Sequence, residues 1–255
     1  STLFPYTTLF RSVSLCLAER LITFRLEHPI AACMELASRL KARFDLVHCD
    51  VVPTDPAAPL SNAGIAERSA NLLEMTLRSE TPVIVALGTG RAVRAAVERV
   101  SPIERPDHQI VSLVGNISAD GSASFYDTVG RLADRTGARH YPMPLPFLMS
   151  SEDERNRMVR IDPIARVRAV AAKADLRLIG IGQMDRSAPL FVDGFVSAAE
   201  MDELAALGAA GEITSWVYDA GGQLIDCAFN ARVASAPLPR AADRPVIAVA
   251  SGEAK

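Results

Sequence analysis

Apolar residues recur at Ile30, Cys33, Met34, Ala37, Leu40 and Phe44. That spacing places them on one face of a helix over Pro29–Phe44, with proline in the first turn, where its missing N–H costs nothing. Asp45 to Pro53 (DLVHCDVVP) then reads as a strand. Asn62 to Ser79 reads as a second amphipathic helix carrying Ile65, Leu72, Leu73 and Leu77. After it the rhythm changes. PVIVAL (82–87), QIVSLV (109–114), LRLIGI (176–181) and PVIAVA (245–250) are short and almost wholly apolar. Continuous runs, unlike alternating ones, predict strands covered on both faces, as in a parallel sheet. Helices are predicted between them at Arg91–Val100, Ser124–Thr136 (ended by Gly137), Pro163–Ala174 and Ser197–Leu207. Ser197 with Glu200, and Ser151 with Glu154, have the spacing of a capping box.

The alternation of strands and helices predicts an α/β fold, a doubly wound and mostly parallel Rossmann-like sheet. One segment breaks it. Glu212 to Ala228 (EITSWVYDAGGQLIDCA) reads as two strands about Ala220-Gly221-Gly222, a small β-hairpin insertion.

The chain has 255 residues, 49% hydrophobic and 22% charged, with a formal charge of -3. That length buries a core without disulfides or a structural metal, and the mild acidity argues against a stand-alone nucleic-acid binder. Cys16, Cys33, Cys49 and Cys227 show no CxxC spacing, as reduced cytoplasmic cysteines would. No apolar run reaches the roughly 18 residues of a membrane span. Residues 1–12, with TLFPYTTLFRS from Thr2 to Ser12, resemble the translation of a sequencing adapter and are set aside as an artefact. On that reading natural sequence is missing upstream, and 13–25 is the remnant of a linker. The last strand has no helix after it, so the domain over 26–255 is expected to be truncated at its C-terminus as well.

In open α/β sheets ligands bind beyond the carboxyl ends of the strands. Four loops lie there. Gly88, Thr89, Gly90 and Arg91 form a candidate phosphate cradle: glycines let the backbone approach, amides at the following helix favour an anion, Thr89 offers a hydroxyl and Arg91 a guanidinium. A tight strand-to-helix turn explains the same residues equally well. GTGRAV lacks the third glycine of a dinucleotide fingerprint, and no GKS or GKT makes it a P-loop. Gly115 with Asn116, and Gly182, Gln183 and Asp185, are the next candidates. In extended chain Asn230 and Arg232 would project to one side and hold hydroxyls or phosphate, unless they are solvated loop residues. Gly252, Glu253 and Lys255 close the set, with Lys255 as a point charge. Asp219 is a further polar candidate, and Trp216 either stacks on a sugar or packs. His28, His48, His108 and His140 lack metal-ligand spacing. There is no GxSxG elbow, and the acidic turn 152–154 reads as a charged helix start. No cofactor, metal site or catalytic set is expected.

Several blocks in order then carry a resemblance: VIVALGTGRAV, IVSLVGNIS, RLADRTGARHYPMP, LIGIGQMD, FVDGFVSAAEMDELAALGAAGEI, the DAGG turn, FNARV and VIAVASGEAK. From about Leu26 to Lys255 the chain resembles the effector-binding domain of SorC-type (DeoR-like) sugar-responsive transcription regulators. RHYPMP and GIGQM look closest to polyol or pentose regulators such as those of erythritol. The resemblance implies a fold similar to glucosamine-6-phosphate deaminase, ribose-5-phosphate isomerase and CoA-transferase-like proteins. It also implies a phosphorylated sugar or polyol effector at the strand-end loops and a homo-oligomer, dimer or tetramer. Operator DNA would be bound only through an N-terminal helix-turn-helix domain that 13–25 is too short to hold. Thr89 stands where many members carry another residue, so ligand preference does not transfer. A sugar-phosphate isomerase or deaminase shares the sheet and stays open as the alternative.

Overall fold

The apolar runs pair with one another in register. In the computed structural model, which describes residues 29–55, 57–58, 61–118, 121–122, 126–238 and 244–251, the chain divides into two compact units, 1–55 and 56–255. Within the first, α1 (Pro29–Phe44) forms over the predicted span. The strand expected over Asp45–Pro53 does not form. Among the described residues of this unit no strand offers a ladder partner, and a strand without one leaves its backbone polar groups unpaired.

The second unit runs α2 (Ala63–Leu77), β1 (Ile84–Leu87), α3 (Arg91–Val97), β2 (Gln109–Ile117), α4 (Thr128–Thr136), β3 (Arg139–Pro146), α5 (Glu152–Met158), α6 (Asp162–Ala172), β4 (Leu176–Gly180) and β5 (Gly182–Gln183). It continues α7 (Pro189–Val192), α8 (Ala198–Ala206), β6 (Ala209–Ile213), β7 (Trp216–Asp219), α9 (Ala228–Arg232) and β8 (Val246–Val249). Five strands form one parallel sheet in the order β3-β2-β1-β4-β8. Val85, Leu87, Ile110 and Leu178 pack on one face with Leu73 and Leu77 of α2, Val93 and Val97 of α3 and Leu132 of α4. Ala86, Val111, Leu113 and Ile179 pack on the other with Ile164, Val167 and Ala171 of α6. The sheet is therefore wound on both faces, as the apolar runs required.

The order reverses at β1, which is flanked by β2 on one side and β4 on the other. Ligand sites in open α/β sheets form beside such a reversal, beyond the carboxyl edge. A small antiparallel sheet, β5-β6-β7, stands beside that edge. The insertion differs from the expected hairpin. Its tight turn is Thr214-Ser215, between β6 and β7, while Ala220–Gly222 leads only to an isolated bridge between Tyr218 and Leu224. Trp216 and Val217 of β7 bury a third cluster with Met201, Leu204 and Phe229.

Two buried polar residues hold the second unit's layers. The His108 ring reaches the Leu77 carbonyl (3.1 Å) and accepts from the Val83 N–H (3.4 Å), tying α2 to the start of β1. Arg177, 1% exposed within β4, donates to the carbonyls of Ala171 (2.9 Å), Ala172 (3.0 Å) and Ala174 (3.0 Å). It caps the end of α6, whose last carbonyls lack helical partners. Arg177→Met would strand those carbonyls in the interior. We expect a loss of about 1–3 kcal/mol, read as a lower urea midpoint with an unchanged slope.

Candidate functional site

The loop after β1 is fixed by its backbone. The Gly88 N–H donates to the Leu178 carbonyl (2.8 Å), continuing the β1–β4 ladder one residue past the strand. Its carbonyl accepts from the Thr128 hydroxyl (3.1 Å) at the start of α4. A side chain at Gly88 would touch Ile179, Leu178 and the Thr214 methyl at 3.4–3.5 Å, so the position is tightly walled. Gly90 then turns the chain into α3 with φ +106°, a conformation that only glycine adopts without strain.

The end of β2 forms the second wall. A Cβ at Gly115 would lie 2.3 Å from the Leu145 carbonyl oxygen, because β3 closes on β2 through a register shift there. Between these walls and the start of α4 lies a cavity of about 210 Å³, lined by Gly88, Thr89, Ser112, Gly115, Asn116, Tyr126, Asp127, Thr128 and His140, among others. The Asn116 Oδ1 is buried with no hydrogen-bond partner. Such an atom normally has one, and Asn116 is the lining residue that leaves its oxygen unmet among the described residues.

The groups around the cavity are otherwise occupied. Asp127 caps α4 by accepting from the Gly130 N–H (3.0 Å). The Tyr126 hydroxyl donates to Asp193 (3.1 Å). Burial, and then the Asp193 charge, push the Tyr126 phenol above its ordinary pKa, while Arg91 and Arg94 pull it back. Arg91 therefore acts electrostatically at the cavity mouth although its own side chain is exposed.

The sequence candidates separate. Gly88, Thr89, Gly115 and Asn116 meet in this one cavity, with Gly90 and Arg91 next to it. Gly182 and Gln183 form β5, and Gly182 is bare because the Glu212 carboxylate fills the space where its side chain would be. Asp185 accepts from the Ser187 hydroxyl (2.6 Å) and N–H (2.7 Å), which hold its carboxyl below the usual range. Gln183 bonds to the same serine (2.6 Å). Neither lines the cavity. Asn230 and Arg232 lie not in extended chain but in the short helix α9. The Asn230 amide is spent on β7 and on Ile225 beyond it. It donates to the Val217 and Ile225 carbonyls (2.9 and 2.7 Å) and accepts from the Val217 N–H (2.9 Å). Arg232 pairs with Glu200 at 2.6 Å. Asp219 caps its own turn through Gly221 and Gln223, and Trp216 packs in the third cluster. Gly252, Glu253 and Lys255 lie outside the described residues, as do 1–12 and 13–25. Ser112, Tyr126, Asp127, Thr128 and His140 are additions. Only Asp127-Thr128, a cap residue before a helix, carries a local signal that pattern reading could have used.

A parallel sheet whose order reverses beside a polar cavity defines an open α/β ligand-binding domain. The chain belongs to the family described as "Putative sugar-binding domain", which it matches over residues 28–255. It is similar to the erythritol catabolism regulatory protein EryD of Brucella abortus (strain 2308), 26% identical over 98% of this chain and 79% of that protein. It is also similar to the sorbitol operon regulator of Klebsiella pneumoniae, 25% identical over 98% and 80%. The SorC/DeoR-type resemblance is thus correct. The full-length SorC structure from Klebsiella pneumoniae shares the fold with a TM-score of 0.76 at 23% identity, covering 97% of this chain and 80% of that one. A DeoR family regulator from Listeria monocytogenes does so at 0.77 and 19%, covering 87% of each.

These placements can be checked by unfolding. Asn230→Ala removes three buried hydrogen bonds and should cost about 2–4 kcal/mol of stability, seen in urea unfolding with nothing bound. Burial works to raise the Glu200 pKa, but the Arg232 hydrogen bond and the Ser197 cap together leave it lowered. A lowered carboxyl stabilises the fold above its unfolded pKa, and that stability is lost as pH falls through the folded value. Glu200→Gln should therefore reduce stability at neutral pH and flatten the acid limb of the pH–stability curve.

Proposed function

We propose that this chain is the effector-sensing part of a bacterial sugar-responsive transcription regulator, and that it takes a phosphorylated sugar or polyol in the cavity beyond β1 and β2. Asn116 carries the reading: a buried amide oxygen without a partner, in the wall of a polar cavity at the strand ends. Family membership and the regulators it resembles supply the ligand class. The amides of Thr89 and Gly90 with the Arg91 guanidinium receive the phosphate. Asn116 and Asp127 face the hydroxyls, because a carboxylate beside the phosphate would repel it. Gly252, Glu253 and Lys255 are retained as further contacts, with Gln183, Asp185 and Arg232 as outer ones. Asn230 supports them through β7. The sensing domain is assigned to 26–255, and 1–12 to an artefact. In the whole regulator a separate DNA-binding domain contacts the operator, and the sensor works as a homo-oligomer in the cytoplasm. On this reading the domain binds and does not turn over its ligand, in keeping with the regulators it resembles; Asp127, the carboxylate lining the cavity, commits one oxygen to a helix cap.

The test is thermal unfolding of the 255-residue chain with erythritol 4-phosphate, sorbitol 6-phosphate, ribose 5-phosphate, glucosamine 6-phosphate and the free polyols. A ligand at one hundred times its Kd adds about 2.7 kcal/mol, roughly 5–10 °C in Tm for a domain of this size. At least one phosphorylated compound should reach that. Asn116→Ala should abolish most of the shift and leave the unliganded Tm within about 2 °C, since the lost oxygen had no partner. An equal shift from a free polyol would remove the phosphate from the reading. No shift at all, or turnover of ribose 5-phosphate or glucosamine 6-phosphate, would overturn it.

A further inference from the structure

The turn between β6 and β7 breaks the local rules at three points. Thr214 and Ser215 both hold positive φ, +51° and +73°. Two-residue hairpin turns of this type favour Asn-Gly, and a β-branched residue in the left-handed region is a steric outlier. The turn is also buried, Thr214 to 5% exposure and Ser215 to 3%. The Thr214 hydroxyl there has no hydrogen-bond partner. A Thr-Ser pair is thus held where Asn-Gly would sit without strain. Its one local compensation is the Glu212 carboxylate, which accepts the Ser215 N–H at 2.9 Å.

The position of this turn gives the strain a use. The Thr214 methyl lies 3.5 Å from where a Gly88 side chain would begin. Gly88 has neighbours on three sides: Leu178 of β4 and Thr128 of α4 by hydrogen bonds and, across the space its missing side chain leaves, the Thr214 methyl. The first two are hydrogen bonds inside the main layers. The third is a methyl that borders the space beside the bare Cα, on a residue already out of its preferred conformation. A displacement of the loop is passed most easily to the partner that is strained, because packed layers move between discrete arrangements and do not deform continuously. Behind the turn, Ile213 reaches the second core cluster, and Val217 is clamped by Asn230 of α9.

We infer that the Thr214-Ser215 turn is the relay of this domain: it registers occupancy of the Gly88–Arg91 loop and passes it to the β5-β6-β7 sheet and α9. The relay rests on the proposed site being where effector binds. Binding at the loop shifts Gly88 against Thr214, the turn relaxes toward a less strained pair of dihedrals, and β6 and β7 change in stability.

Amide hydrogen exchange on the 255-residue chain tests it, with and without whichever of erythritol 4-phosphate, sorbitol 6-phosphate, ribose 5-phosphate and glucosamine 6-phosphate gives the largest Tm shift. The wild type should gain protection at 88–91 and, with it, a severalfold change in exchange at 209–219. The double variant Thr214→Asn, Ser215→Gly relieves the turn without touching the cavity. It should raise the unliganded Tm by about 2–4 °C, keep the protection at 88–91, and lose the response at 209–219. Protection at 88–91 with no change at 209–219 in the wild type overturns the relay and leaves the site intact. So does a response at 209–219 that persists in the double variant. Absence of protection at 88–91 overturns site and relay together.

Discussion

The backbone of Gly88 joins β4 and α4 by hydrogen bonds, and the β6–β7 turn borders the space beside its Cα. Its N–H extends the parallel ladder to Leu178, so the loop cannot leave the sheet before residue 89. Its carbonyl sets where α4 begins, through Thr128. A side chain here would begin in contact with Ile179, Leu178 and Thr214 at once. The cavity is what remains when these constraints are met: a space bounded by a loop tied to the sheet through Gly88, a strand end pressed against β3 at Gly115, and a capped helix start. Gly88 is held by the sheet and Asp127 by its helix cap before any ligand arrives, as a preorganised binding site requires.

The same economy explains why several polar residues suited to ligand binding serve the fold. The small sheet has only two to five residues per strand, too little to stand alone. It is held by side chains in place of a longer ladder. Asn230 acts as an extra rung on β7, and Arg232 with Glu200 ties α9 to the capped start of α8. Buried amides and ion pairs of this sort are costly to leave unmet and so are met locally. Asp219, Asp185 and Gln183 are likewise taken up by turns. What distinguishes Asn116 is that no neighbour completes it.

The central strands were readable because each is buried on both faces, which turns position in the sheet into a run of apolar letters. Strand β3 was not. In RHYPMPLP, proline stands at 142, 144 and 146, and strands rarely tolerate it. Yet β3 is an edge strand, and alternate prolines cost no ladder bond when their positions face away from β2. Met143 and Leu145 between them are fully buried. Asp45–Pro53 failed in the opposite way: its letters suit a strand, but strand formation needs a partner, which lies beyond local sequence. The glycines at 221 and 222 announced a turn and drew attention from Thr214-Ser215, whose conformation is imposed by burial and not by propensity. The site was legible where it follows from topology, at Gly88–Arg91 and Gly115-Asn116. It was not where it depends on which side chain a neighbour has already claimed.

Charge then decides how a ligand lies in the cavity. Arg91 and Asp127 sit on different elements, one leading α3 and the other capping α4. Arg91 is next to the cavity and near enough to act on the Tyr126 phenol, and Asp127 lines the cavity as a carboxylate. Opposite charges at two ends of a small cavity distinguish the ends of a ligand that carries charge on one side and hydroxyls on the other. A neutral polyol would use Asn116 and Asp127 and gain nothing from Arg91. A free phosphate would gain from Arg91 and leave the Asn116 oxygen unmet, since a dianion brings acceptors where a donor is needed. A molecule with an anion and hydroxyl donors at separate ends suits both groups, which is the chemical reason for proposing a phosphorylated sugar or polyol.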